Sequence, residues 1–391
     1  MRVQYINTLI ASINVMNLTL KVKLAPTPEQ FESLEQTMVL FNTACNAIAD
    51  RAFELRTANK INLQKIVYYD VREQFKLPAQ LAIRAIAKVC EVYKRDKSIK
   101  PEFASLGAIV YDQRILSWKG LDRASVVTVD GRAVIPIVMS AYHRSRLDRI
   151  RGQADLILQD GAFYLCVIVN VPEPEKIRPV GALGIDMGVV NIATDSDGSE
   201  HSGDAVRKVR KRALHLRAEL QSARTKSARQ HLKRLARYEA RFQRDVNHCI
   251  SKELVAKAKG TERAIAIEDL KGIRTQTTVR KAQRYYHSSW SFRQLRAFIE
   301  YKAALAGVPV IAVNPRGTSH ICPRCGHEGR ENRPTRDSFA CSRCGFAGRA
   351  DHVAAINIAA RAAVNPPIVA RDFLVHSVPL SYKLSISMDG S

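Results

Sequence analysis

The sequence predicts an α+β chain of several domains: an N-terminal β-barrel interrupted by a helical insertion, then an α/β domain carrying a four-cysteine finger. Three observations predict it. Alternating apolar runs fill residues 108–171, separated by a helical-period stretch from one isolated strand near the N-terminus. From about residue 180, short apolar runs alternate with long helices. Two Cys-x-x-Cys pairs then stand fifteen residues apart before a last helix.

Residues 17–24, NLTLKVKL, alternate and read as the first strand. Pro26 and Thr27-Pro28 open a helix whose apolar residues recur at helical spacing over 31–55, and further helices are expected near 62–75 and 79–95. Strands are expected at 108–118, 124–130, 133–140, 154–160 and 162–171. Asp130-Gly131 and Asp160-Gly161 sit between alternating runs, a hairpin signal because glycine tolerates positive φ. Pro172, Pro174 and Pro179 mark a boundary. Beyond it, 181–187 and 189–195 read as consecutive strands, and 204–258 as a long helical stretch with a break near Ser222–Ser227. Strand 264–268, helix 290–306, strand 308–313, the cysteine segment 317–348 and a helix from 351 complete the domain. The tail 365–391 has no clear pattern.

The formal net charge is +24, from 61 Lys+Arg against 37 Asp+Glu. Such an excess concentrates polyanions and points to a nucleic-acid partner. It is densest at 204–244, where Asp204, Glu219 and Glu239 alone oppose fourteen basic residues. Pairing along a helix cannot absorb that imbalance, so the stretch reads as a phosphate track, with Arg207, Lys208, Arg210, Lys211, Arg234, Arg237, Arg241 and Arg244 as its candidates. Tyr285 and Tyr286, after Arg280, Lys281 and Arg284, are candidates for stacking on exposed bases. No apolar run approaches the ~18–20 residues of a membrane span. No phosphate-cradling Gly-x-x-x-x-Gly-Lys-Ser/Thr loop is present, which argues against an ATP-driven helicase.

Cys322, Cys325, Cys341 and Cys344 have the spacing of a tetrahedral structural zinc site, and Gly326 and Gly345 let each pair turn its amides toward sulfur. An iron–sulfur cluster and free thiols are the alternatives. Cys45, Cys90, Cys166 and Cys249 lie in apolar surroundings and read as small core residues, so a reducing compartment is expected rather than a disulfide framework.

Three acids lie in segments of distinctive chemistry. Asp186 follows an apolar run between Gly184 and Gly188, small neighbours that let a cation and a phosphate approach the backbone. Glu268 ends the run 263–268, and Asp269 beside it must point the other way. Asp351 opens the last helix. Singly, these could be a turn aspartate, a solvated strand end and an N-cap. Together, with the basic track, they point to a divalent-metal site for phosphodiester cleavage.

In order, GIDMGVVNIAT (184–194), AIAIEDLKGIR (264–274) and the segment from TSHICPRCG to ADHVAAINIA (318–359) resemble TnpB, the transposon-encoded RNA-guided DNA endonucleases related to compact type V CRISPR effectors. The likeness covers roughly 180–361, helped by RFQRDVNHCISKELV (241–255), and is one of layout alone further N-terminal. It implies a RuvC-like, RNase H-like nuclease domain at 179–316 and 349–364 with a zinc finger at 317–348, preceded by a wedge-like barrel (1–26 and 101–178) holding a helical recognition insertion (27–100). Asp186, Glu268 and Asp351 would be the catalytic acids holding two Mg²⁺ ions, and the four cysteines would hold a structural Zn²⁺. The partners implied are a guide RNA and double-stranded target DNA with a short flanking motif, bound by a monomer within a cytoplasmic, nucleoid-associated ribonucleoprotein. A type V effector of the same descent, an RNase-H-fold transposase, a junction-resolving nuclease and a nuclease-inactive binder are the rival readings. Val353 stands where family members often carry asparagine, while Asn357 keeps its expected context.

Overall fold

The computed structural model describes residues 15–146, 150–269 and 292–364. The stacking candidates Tyr285 and Tyr286 and the tail 365–391 lie outside them. The chain divides into two compact units, one ending at Glu173 and the next beginning at Pro174. Among the described residues no helix is long and apolar enough to cross a membrane.

The first unit begins with β1 (Val15–Leu24), followed by α1 (Pro28–Glu54), α2 (Lys60–Phe75) and α3 (Ala79–Tyr93). Helix α1 starts three residues before its first apolar position, because Thr27 and Gln30 cap each other's backbone amides and Pro28 stands in the first turn. Its buried stripe, Leu34, Met38, Phe41, Cys45 and Ile48, belongs to the same core as Leu81, Ala85, Ile86 and Val89 of α3. The strands that follow are β2 (Ile109–Tyr111), β3 (Leu116–Lys119), β4 (Arg123–Thr128), β5 (Gly131–Val138), β6 (Ile150–Gln159) and β7 (Ala162–Pro172), with a short helix α4 (Ala141–Arg144) between β5 and β6. They form one antiparallel sheet in the order β2-β6-β7-β1-β5-β4-β3.

The single strand expected at 108–118 is therefore two strands, on opposite edges of that sheet. The cause is Asp112: its carbonyl accepts the amides of Ile115 and Leu116, and its carboxylate that of Arg114. This turn draws the two edges together, and Tyr111 donates its hydroxyl to the carbonyl of Val127 on β4. The sheet is barrel-like for that reason. At the β6–β7 hairpin both Asp160 (φ +54°) and Gly161 (φ +76°) are left-handed, as a two-residue turn requires.

The second unit holds β8 (Ala182–Asp186), β9 (Asn191–Asp195), β10 (Glu200–Ser202), α5 (Asp204–Ala223), α6 (Lys226–Gly260), β11 (Ala264–Glu268), α7 (Phe292–Ala306), β12 (Val310–Val313), β13 (Ser338–Ala340), β14 (Ala347–Arg349) and α8 (Ala350–Val364). The helical stretch breaks where expected: Arg224 is left-handed and Thr225 caps α6 by accepting from the amide of Ala228. The main sheet runs β10-β9-β8-β11-β12, with β8, β11 and β12 parallel. Its central strands are covered on both faces. Leu183, Ile185, Ile265 and Ile267 pack with Ile250 and Leu254 of α6 and Leu295 and Ile299 of α7. Ala266 and Val313 pack on the other face with Ile358 and Ala362 of α8. Continuous burial of this kind explains why these strands read as unbroken apolar runs.

Cys45 and Cys90 are buried as expected, and burial pushes the Cys45 thiol up to about 12. Cys249 departs from the core reading: it is exposed on α6.

Candidate metal centres and nucleic-acid interface

Asp186 and Glu268 end adjacent parallel strands. Ile185 pairs with Ile267, so the two acids stand at one level on the carboxyl edge of the sheet. That edge is where α/β sheets gather ligands. Asp351 comes from the first turn of α8, which lies directly against β8. Gly184 permits the approach: a Cβ there would stand 2.0 Å from the carbonyl oxygen of Ala355 and 2.6 Å from the amide nitrogen of Ala359. The glycine thus makes room for a helix, not for a cation or phosphate as its sequence neighbourhood suggests.

Asp186 is pushed up to about 7, first by burial, then by the negative charges of Glu268 and Asp351, with Arg333 opposing. Among the described residues no cation pairs with it directly. The contrast is Asp195, opposite Ile185 on β9, whose buried carboxylate meets Lys257 Nζ at 2.5 Å and accepts the amides of Asp197 and Ser199. Asp195 is a satisfied structural acid; Asp186 is held among like charges. Burial also raises Glu268, while the Thr318 hydroxyl, 2.5 Å from Oε1, and the charge of Arg361 oppose the rise. Asp351 accepts from Asn191 Nδ2 at 3.2 Å and lies 4.0 Å from Arg333 Nη2. Asp269 turns away to pair with Arg296 at 3.0 Å.

Sequence reasoning missed Asn191, Thr318 and Arg333 as members of this neighbourhood. Asn191 lies in the same motif as Asp186, five residues on, which was the available signal. Thr318 and Arg333 come from the cysteine segment, and nothing local announces a partner 50 or 18 residues away.

The four cysteine sulfurs all lie within 4.8 Å of one another, with Cys322–Cys344 and Cys325–Cys341 each at 3.6 Å. A tetrahedron with ~2.3 Å metal–sulfur bonds has edges of about 3.8 Å, so the set fits a closed Zn²⁺ site. Gly326 (φ +71°) and Gly345 (φ +70°) return their amides to the carbonyls of Cys322 and Cys341 at 2.9 and 3.0 Å. His327 contacts Glu331 and His320 contacts Ser319, leaving the thiols as the ligand set. Among the described residues this is the one group of three or more candidate ligands drawn so tightly. Asp186, Glu268 and Asp351 do not bring their carboxylate oxygens all within 4.8 Å of one another. Their hard oxygen donors fit Mg²⁺.

Along α5 and α6, Lys208, Lys211, Arg234, Arg237 and Arg241 are exposed, and Arg207 and Arg244 partly so. Arg207 also pairs with Asp204 one turn earlier. Arg210 departs from the phosphate-track expectation. It is 6% exposed, and its guanidinium donates to Gln243 at 2.9 Å, with Gln243 in turn donating to Asn247. Helical periodicity turns it inward, where it joins the two helices instead of facing solvent.

A family profile described as "Probable transposase" matches residues 164–290, and one described as "Cas12f1-like, TNB domain" matches 292–358. The chain is 30% identical over 226 residues to the CRISPR-associated endodeoxyribonuclease Cas12f2 of a Micrarchaeota archaeon, 53% of this chain and 41% of that protein. It is 38% identical over 97 residues to a TnpB-like protein of Methanocaldococcus jannaschii, 24% of this chain and 34% of that one. The chain thus spans less than half the length of these two relatives. A Cas12f1 structure, determined with sgRNA and target DNA, superposes with a TM-score of 0.58 at 15% identity, over 88% of this chain and 99% of that one. At that identity the likeness is one of fold.

Proposed function

We propose that this chain, similar through residues 164–358 to TnpB-like and Cas12f proteins, is an RNA-guided DNA endonuclease with an RNase H-like, RuvC-type site. The observation that carries the reading is the placement of three acids: Glu268 stands beside Asp186 on the sheet and Asp351 comes from the helix that crosses Gly184, and burial first, then these two charges, push Asp186 up to about 7. Arg333 and Arg361 offset only part of this negative charge, and a buried acid raised among like charges is a favourable place for a cation.

Asp186, Glu268 and Asp351 would hold the divalent cations, and Cys322, Cys325, Cys341 and Cys344 the structural zinc. When bound, a pair of Mg²⁺ ions supplies an activated water and stabilises the departing 3′-oxygen. The chain's own residues do the rest. Asn191 holds Oδ2 of Asp351, while Oδ1 faces Arg333 Nη2 at 4.0 Å. Arg333 sets a positive charge beside the acids, against which a phosphate can be held. The exposed basic residues of α5 and α6 track a backbone without reading its sequence, which is left to base pairing with the guide.

The test is to sequence the RNA that copurifies and assay the complex on DNA carrying the matching target. Mg²⁺-dependent cutting is expected, with Asp186→Ala, Glu268→Ala and Asp351→Ala each losing it while retaining target binding. An RNA-free preparation that joins DNA ends would favour the transposase reading. A variant that still cuts would remove its residue from the site.

A further inference from the structure

The cysteine module begins with a contact that reaches the acidic site. Thr318 is 3% exposed, and its Oγ1 stands 2.5 Å from Oε1 of Glu268 and 2.9 Å from the carbonyl oxygen of Pro315. One hydroxyl proton serves one acceptor well, and the carboxylate is both nearer and the stronger acceptor. The backbone of Thr318 is in turn gripped from α8. Asn357, 5% exposed, donates from Nδ2 to the carbonyls of Thr318 at 2.8 Å and Ile321 at 2.7 Å. Ile321 immediately precedes the ligand Cys322, and Asn357 lies six residues after Asp351 on the same helix. A connected path therefore runs from the helix that carries one acid, through the foot of the cysteine module, to a second acid.

We propose that Thr318 is a positioning residue for Glu268: its hydroxyl fixes one carboxylate oxygen so that the other is aimed at the cation, and Asn357 makes this hold depend on the seating of the cysteine module against α8. The proposal rests on the reading of Asp186, Glu268 and Asp351 as a cation site. Partners that orient a ligand commonly change metal affinity by about 10–100-fold when removed. Thr318→Val keeps the shape and deletes the hydroxyl; Thr318→Ser keeps the hydroxyl.

The experiment uses the full chain with its copurifying RNA. Zinc content, binding of Mn²⁺ alone by calorimetry, and the Mg²⁺ dependence of cleavage are measured for both variants and for Asn357→Ala. Thr318→Val is expected to keep its zinc and bind Mn²⁺ about tenfold more weakly. Its Mg²⁺ half-saturation should rise by a similar factor, with the rate at saturating Mg²⁺ within about threefold of the parent. Thr318→Ser should restore both, and Asn357→Ala should follow Thr318→Val. Unchanged Mn²⁺ affinity in Thr318→Val overturns the proposal. So does loss of zinc, or a lower saturating rate without a shift in half-saturation, since either marks a merely structural residue. Glu268→Gln and Asp186→Asn are measured alongside. If those two bind Mn²⁺ as the parent does, the cation-site reading itself falls; if they weaken it and Thr318→Val does not, the positioning role alone falls.

Discussion

Asp186 holds its proton into the neutral range, and that has a consequence for stability. Its value in the folded chain, about 7, lies above the ordinary 3.8. Between those pH values the native state binds more protons than the unfolded state, so stability falls as pH rises through the window. The cation-free protein should therefore melt lower at pH 8 than at pH 5 to the extent that this one group decides. Asp186→Asn, which removes the charge but keeps the shape, should melt higher than the parent at pH 8 in Mg²⁺-free buffer and about equal to it near pH 4. Cations compete with that proton, so apparent Mn²⁺ affinity should climb by up to about tenfold per pH unit below 7 and level off above it. Thermal melts and calorimetry across pH 4–8 check both. A flat profile would mean that neither burial nor the charges of Glu268 and Asp351 raise Asp186 in the folded chain.

At the scale of elements, the site depends on how closely α8 lies on β8. Gly184→Ala would set a methyl group 2.0 Å from a helix carbonyl, and backbone cannot yield as a side-chain tip can. The helix must move, at a cost of about 1–3 kcal/mol or more, and Asp351 moves with it. Gly181→Ala, where an added Cβ meets nothing within 4 Å, is the control. Cleavage should fall far more in the first variant than in the second, with melting temperature following the same order. The basic hairpin of α5 and α6 makes a separate prediction. Replacing Lys208, Lys211, Arg234 or Arg237 by glutamine should reduce the salt slope of nucleic-acid binding by about one for each phosphate no longer engaged, whereas Arg210→Gln should act on stability instead. These two elements also mark where the sequence was legible. The cysteine spacing, the Asp160-Gly161 turn and the break before Thr225 are written in adjacent residues, and each was readable. The role of Gly184, the inward turn of Arg210, the edge-swapping turn at Asp112 and the hydrogen bond from Thr318 to Glu268 are settled by partners from 3 to 175 residues away. Local pattern carries the three acids as individuals; tertiary packing decides which groups surround them.

At the scale of the whole molecule the governing quantity is the net charge of +24. Like charges repel in the compact state, and a polyanion relieves that repulsion. Salt should then act with opposite sign on two properties of one protein. Added salt screens the repulsion over a Debye length of about 10 Å at 0.1 M, so the nucleic-acid-free chain should melt higher at 0.5 M NaCl than at 0.05 M. The same salt removes the entropic gain of counterion release, so affinity for RNA or DNA should fall by about 10³–10⁵ between 50 and 200 mM if six to ten phosphates are engaged. A complex of the chain with RNA, in which that charge is offset, should lose melting temperature over the range in which the free chain gains it. Melting curves with and without RNA across that salt series test the pair of signs together. A free chain insensitive to salt would mean that its basic residues are balanced by local acids and that the excess charge is spread over the surface. A complex whose affinity ignores salt would mean that phosphates are not what the α5–α6 hairpin engages.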